Sequence, residues 1–147
     1  MIKIEVITGS FDAGAEIENL SVLSGGAVAS FVGQVRGDGD LVALELEHYP
    51  AMTEKALRHI ADKASQKWPL HGITIIHRVG RLKIGEQIVL TCTCSDHRQA
   101  AIEACAYIMD QLKTAAPFWK KEISSNGRES WVEERQSDIE AAENWGG

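Results

Sequence analysis

The spacing of apolar residues changes period repeatedly along this chain, from two to nearly four and back, and the changes follow no regular order. Ile2, Ile4 and Val6 alternate with Lys3 and Glu5, which predicts an opening strand. Residues 12–20 predict a short helix capped by Asp12 and stopped before Gly25-Gly26. Residues 27–35, rich in small and β-branched side chains, predict a mostly buried strand that opens into the polar loop 36–40. Residues 41–49 alternate Leu44 and Leu46 against Glu45 and Glu47, another strand. Pro50 opens a helix over 50–68 with Ala56, Ile60 and Ala64 on one stripe. Strands follow at 73–79 and 87–95, joined by a connector at 80–86. Asp96, with Gln99 three residues on, predicts a capping box for a helix reaching Thr114. Its stripe is Ala101, Cys105, Ile108 and Leu112, and Pro117 ends it. Residues 118–124 and 130–134 predict a hairpin around Asn126-Gly127. Strands and helices mixed in this way give an α+β class.

With 147 residues and a mass of 16.1 kDa, the chain is the size of one ordinary domain. Residues 1–135 are expected to form it, and the acidic residues 136–147 a flexible tail. A net charge of −6 and a pI near 5.3 argue against a general nucleic-acid binder. Three cysteines, an odd number, argue against a disulfide framework and for a reducing compartment. The N-terminus carries Lys3 and Glu5 where a signal peptide needs an apolar core. The longest uncharged stretch, residues 19–35, is broken by serines and glycines and falls short of the ~20 apolar residues of a membrane span. A cytoplasmic protein is expected.

Several candidate sites dissolve on inspection. Cys92 and Cys94 share one strand face, but Cys105 does not complete a zinc ligand set, so all three read as buried structural thiols. The five histidines show no paired ligand spacing, and no metal site is expected. Ser95-Asp96-His97 are neighbours, whereas catalytic triads are assembled from distant positions.

The cations are more informative. His97 and Arg98 would occupy a helix's first turn, where free N–H groups favour an anion. Arg36 stands where a buried strand opens into a glycine-rich loop, a natural place to hold phosphate or carboxylate bidentately. Lys113 shares a helix face with Met109. Lys120 and Lys121 follow an aromatic pair in a strand and therefore point to opposite faces. A lysine set beside other cations or out of water is a usable base or nucleophile. Together Arg36, His97, Arg98, Lys113 and Lys120 form the one basic site this acidic sequence offers, although spacing alone does not show that they converge.

Five blocks then occur in register: F-V-G-Q-V-R-G at 31–37, L-E-L-E-H-Y at 44–49, H-R-V-G-R-L-K-I-G-E at 77–86, S-D-H-R at 95–98 and K-T-A-A-P-F-W-K-K-E at 113–122. With W-V-E at 131–133, they resemble the large, catalytic subunit family of molybdopterin synthase. The resemblance implies an α/β-hammerhead fold with an additional antiparallel β-sheet. It implies a homodimer core of a heterotetramer, each chain receiving the Gly-Gly thiocarboxylate tail of a small ubiquitin-like sulfur-carrier subunit. The implied reaction is a sulfurtransferase step that converts cyclic pyranopterin monophosphate (precursor Z) into the dithiolene of molybdopterin, in molybdenum cofactor biosynthesis. It implies no cofactor on this subunit.

By the same resemblance Lys113 and Lys120 are the catalytic lysines. Arg36, His97, Arg98 and Arg135 bind substrate, and Phe31 and Met109 are the apolar neighbours. The family's pocket draws on both chains of the dimer. The chain's own terminal Gly146-Gly147 mimics the carrier only as a dipeptide. A non-catalytic dimeric docking platform for a ubiquitin-like carrier is the alternative, and it would have no need of the lysine pair.

Overall fold

Two four-stranded sheets and four helices account for the computed structural model, which describes residues 1–132 and 136–146. The first sheet runs β1 (Ile2–Ile7), β4 (Leu70–Arg78), β6 (Gln87–Ser95) and β2 (Ala27–Gln34). Its β1–β4 pair is parallel and the other two pairs are antiparallel. The second sheet is antiparallel throughout, in the order β5 (Gly80–Lys83), β3 (Leu41–His48), β7 (Phe118–Ser124) and β8 (Glu129–Val132). This is the α+β class with an added antiparallel sheet.

The period-two alternation of the central strands decides which helix covers which face. Ile73, Ile75 and Val89 meet Leu57, Ile60, Ala61 and Ala64 of α2 (Pro50–Lys67) and Tyr107, Ile108, Met109 and Leu112 of α3 (Arg98–Ala115). Ile76, Leu90, Cys92 and Cys94 point the other way, onto Leu20 of α1 (Ala13–Ser21). The three thiols are therefore core side chains, and burial pushes the Cys92 thiol up to about 12 and that of Cys105 up to about 11. Thr93 Oγ1 donates to the Ala101 carbonyl at 2.6 Å, which ties the N-terminal half of α3 to β6. A third cluster, Val35, Leu46 and Leu82, joins the two sheets. The chain passes between them at Val79-Gly80, and Gly80 adopts φ +92°, a turn that a side chain would strain.

Four local expectations need correction. Residues 27–34, expected as a mostly buried strand, form the edge strand β2, paired on one side only by β6, with Ser30, Phe31 and Gln34 exposed. Residues 80–83, taken as part of a connector, form β5 on the edge of the second sheet beside β3. Four residues are too few to show a period, and the pairing comes from Leu82 joining the inter-sheet cluster. Asp96 does not cap α3: His97 holds the N-cap position without a side-chain hydrogen bond, and Asp96 Oδ1 is 2.6 Å from Nε2 of His71. That pairing holds the Asp96 carboxyl below its usual range. Residues 136–146, expected as a loose tail, contain the helix α4 (Gln136–Glu143) packed on α3. The anchor is Trp145, whose Nε1 donates to Asp110 Oδ2 at 2.6 Å and whose ring meets Tyr107 and Trp68 edge-on.

Candidate active site

The C-terminal half of α3, the exit of β2 and the inner face of β7 enclose a cavity of about 620 Å³. Each wall follows from local structure. β2 ends in a register shift at Gly33/Gln34, next to which Val35 donates to the Glu86 carbonyl and accepts from Gly85, both at 2.8 Å. The strand exit is thus pinned, and Arg36 leaves it into the cavity mouth. Met109, Leu112 and Lys113 recur at helical spacing on one face of α3. Phe118, Lys120 and Glu122 alternate on β7, so all three face inward.

Of the residues named from the sequence, Arg36, Lys113, Lys120, Phe31 and Met109 line this one cavity. His97 and Arg98 do not. They are exposed at the opposite end of α3. At about 1.5 Å of rise per residue, the helix between Arg98 and Lys113 separates them by about 22 Å. Arg135 lies outside the described residues. Ser95, Asp96 and His97 form no triad: Ser95 Oγ donates to the Pro69 carbonyl and Asp96 is taken by His71.

The neighbours Lys120 and Lys121 occupy opposite environments. Lys121 Nζ sits 3.0 Å from Glu45 and 3.5 Å from Glu129, over the Trp131 ring. The hydrogen bond to Glu45 is the main reason its ammonium is held more firmly protonated than usual. The register explains this, because Glu45 and Trp131 are its direct cross-strand partners.

Sequence reasoning missed two features of the cavity. Asp38, Glu122 and Asp138 line it beside Arg36, Lys113 and Lys120, so among the described side chains three acids face three bases. Among the described side chains the cavity of one chain is therefore balanced in charge rather than net basic. The second feature is His77, on β4, which is 8% exposed at the cavity wall. Its ring lies flat on Phe118, with centroids 3.8 Å apart and planes 17° from parallel. Nδ1 is 2.8 Å from the Arg78 carbonyl. Burial, followed by the charges of Lys120, Lys113 and His48, pushes its pKa down to about 4. Spacing gave no hint of it, because the lysines reach it from other elements. Among the described residues no group of three or more His, Cys, Asp or Glu is placed to hold a metal ion, and no helix is long and apolar enough to cross a membrane.

Comparison with known proteins agrees with the blocks in the sequence. Residues 6–115 match the family model described as MoaE protein. The molybdopterin synthase catalytic subunit of Pseudomonas aeruginosa is 51% identical over 149 residues, covering 98% of this chain and 99% of that one. The catalytic subunit of Escherichia coli K12 is 54% identical over 123 residues, covering 82% of this chain and 81% of that one. The solved MoaE protein of Burkholderia ambifaria superposes with a TM-score of 0.87 at 47% identity, covering 100% of this chain and 99% of that one. The chain belongs to the MoaE family, the catalytic subunits of molybdopterin synthase.

Proposed function

We propose that this subunit transfers sulfur from the thiocarboxylated C-terminus of a small ubiquitin-like partner to cyclic pyranopterin monophosphate, in the cytoplasm, making the dithiolene of molybdopterin. The observation that carries the reading is the convergence of Arg36, Lys113 and Lys120, from three separate elements, on one cavity. Both reactants bring negative charge. Arg36 offers a fixed fork for the phosphate. Lys113 is the acid–base or nucleophilic group on the sulfur-transfer intermediate, and Lys120 steers the thiocarboxylate. Ammonium groups stabilise oxyanion character best where water is thin, as in a walled cavity. Phe31 and Met109 supply apolar surface to the ring system. Arg135 is proposed as a further substrate-binding residue.

The subunit is proposed to work as a homodimer core that binds two small partners. His97 and Arg98 then hold substrate in the cavity of the other copy, since neither reaches the cavity of its own chain. Two added basic side chains would also tip the balance of three acids and three bases toward the anionic substrate. The test is incubation of the chain with thiocarboxylated small subunit and cyclic pyranopterin monophosphate, assaying for molybdopterin. No product with both partners present and bound would refute the reading.

A further inference from the structure

Three observations single out His77 beyond the roles assigned above. A carbonyl oxygen has no proton to give, so the contact between the His77 ring and the Arg78 carbonyl requires Nδ1 to carry the hydrogen. Nε2 is left as a bare acceptor. The ring cannot easily turn to exchange the two nitrogens, because it lies flat on Phe118 at 3.8 Å. Nε2 has no hydrogen-bond partner among the described residues, yet it is not one of the sealed orphan atoms, which are Thr53 Oγ1, Thr74 Oγ1 and Arg78 Nε. A nearly buried side chain with a fixed lone pair open to the cavity is a group awaiting a donor.

The surroundings say what kind of donor. Lys113 on α3, Lys120 on β7, Arg36 after β2 and His48 on β3 bring positive or neutral groups toward it, while Glu122, Asp38 and Asp138 bring the acids. Burial first, and the cations after it, favour the uncharged imidazole, so the acceptor is maintained rather than titrated away. A ligand suited to both features places an anion on the cations and an N–H or O–H a few ångströms away on Nε2. A lone anion would leave the imidazole unused, and a carbonyl or ether at the same point would set lone pair against lone pair.

We propose that His77 is a specificity-determining residue, whose Nε2 accepts a hydrogen bond from an N–H or O–H of the pyranopterin while the neighbouring cations hold its phosphate. The proposal rests on the reading of the cavity given above. No proton is transferred in this contact. Its value lies in discrimination, since a buried group left without its partner penalises the wrong ligand more than the right contact rewards the correct one.

The test compares the wild-type complex, charged with thiocarboxylated small subunit, with His77→Gln and His77→Met. Glutamine restores a neutral acceptor, and methionine has similar length without one. The expected result for His77→Met is a KM for the pyranopterin about 10-fold higher, as for one lost neutral hydrogen bond, with kcat and small-subunit affinity little changed. His77→Gln should recover most of that loss. Equal KM values for the two variants would overturn the proposal.

A measurement on the unmodified chain guards against misfolded variants. With substrate added and the small subunit omitted, the ¹⁵N resonance of His77 Nε2 should move while the Nδ1–H signal is kept. Bound substrate with an unmoved Nε2 resonance would also overturn the proposal. Failure of the wild-type complex to turn over would instead defeat the reading of the cavity, and this inference with it. Wild-type turnover with equal Gln and Met variants defeats this inference alone.

Discussion

At its C-terminal end α3 presents Met109, Leu112 and Lys113 to an enclosed cavity, whereas at its N-terminal end it leaves His97 and Arg98 in open solvent. The sequence treats the two ends alike, as basic residues flanking one amphipathic stripe. The structure separates them by about 22 Å of rigid helix, more than a single pterin spans. The contrast teaches that one copy holds a walled site whose described side chains balance in charge, and that the basic residues at the far end of the helix lie beyond the reach of that site. The largest expected effect lies at the walled end. Lys113→Ala should lower turnover by at least ~10²-fold, the low end for a positioned acid–base group. It should keep the fold and the small-subunit affinity, because Lys113 is exposed at a helix end. Near-normal turnover in a steady-state assay would remove Lys113 from the chemistry and with it the reason for ranking this end first.

The two ends also differ in how they meet acid. His77, in the cavity wall, takes a proton near 6.5 when unfolded but only near 4 when folded. Below 6.5 the unfolded chain therefore binds more protons, and stability falls with falling pH until both states are protonated below about 4. The full loss is about 3 kcal/mol, at about 1.36 kcal/mol per pH unit. Chemical denaturation across pH 4–7 should show this as a difference between wild type and His77→Gln. At the other end Asp96 is also perturbed, by His71, but both side chains are largely exposed and their pair is screened. Asp96→Asn should leave the acid limb of the stability profile nearly unchanged. An equal effect at the two ends would show that burial does not distinguish them.

A smaller effect tests whether the ends meet across copies. Arg98→Ala should weaken pyranopterin binding by about 10- to 100-fold, the range for a charge-assisted contact. Mixing Lys113→Ala chains with Arg98→Ala chains should then restore activity. In a mixed dimer one cavity carries both defects and the other carries neither. If both residues served the same chain's cavity, every cavity in the mixture would keep one defect and no recovery would be seen.

Much of this is legible in the sequence. Strand β6 and the stripe Ala101, Cys105, Ile108 and Leu112 follow from periodicity, because a buried face must repeat with the backbone that carries it. The facing of Lys120 follows from the period of two. What escapes depends on long-range partners. Asp96 has the side chain of a cap, but His71, far earlier in the chain, reaches it first. Residues 136–143 hold good helix formers, yet the helix docks because Trp145 finds Trp68, Tyr107 and Asp110. His77 opens the block 77–86 without a role of its own, since its significance comes from Phe118 and two lysines on other elements. The divided ends of α3 are legible too, since a rise of about 1.5 Å per residue already sets Arg98 about 22 Å from Lys113, and grouping the cations by charge alone overlooks it.

The smallest expected effect is the most exacting control on the cavity. Lys121 stands one residue from Lys120 and carries the same charge, so any account based on net charge near the site treats the two alike. Geometry does not. Lys121 points to the outer face of β7, where Glu45 and Glu129 already neutralise it and Trp131 lies beneath it. Lys121→Ala should therefore leave kcat and the KM for the pyranopterin within about 2-fold of wild type, the scatter of a distant surface change. Lys120→Ala in the same assay should fall well below that, chiefly in kcat with the thiocarboxylated partner. The pair isolates direction from charge, because both variants lose one cation from adjacent positions on one strand. Matching losses would mean that the basic field alone sustains the reaction. A defect confined to Lys121→Ala would mean that the outer face of β7, and not the cavity, meets the substrate.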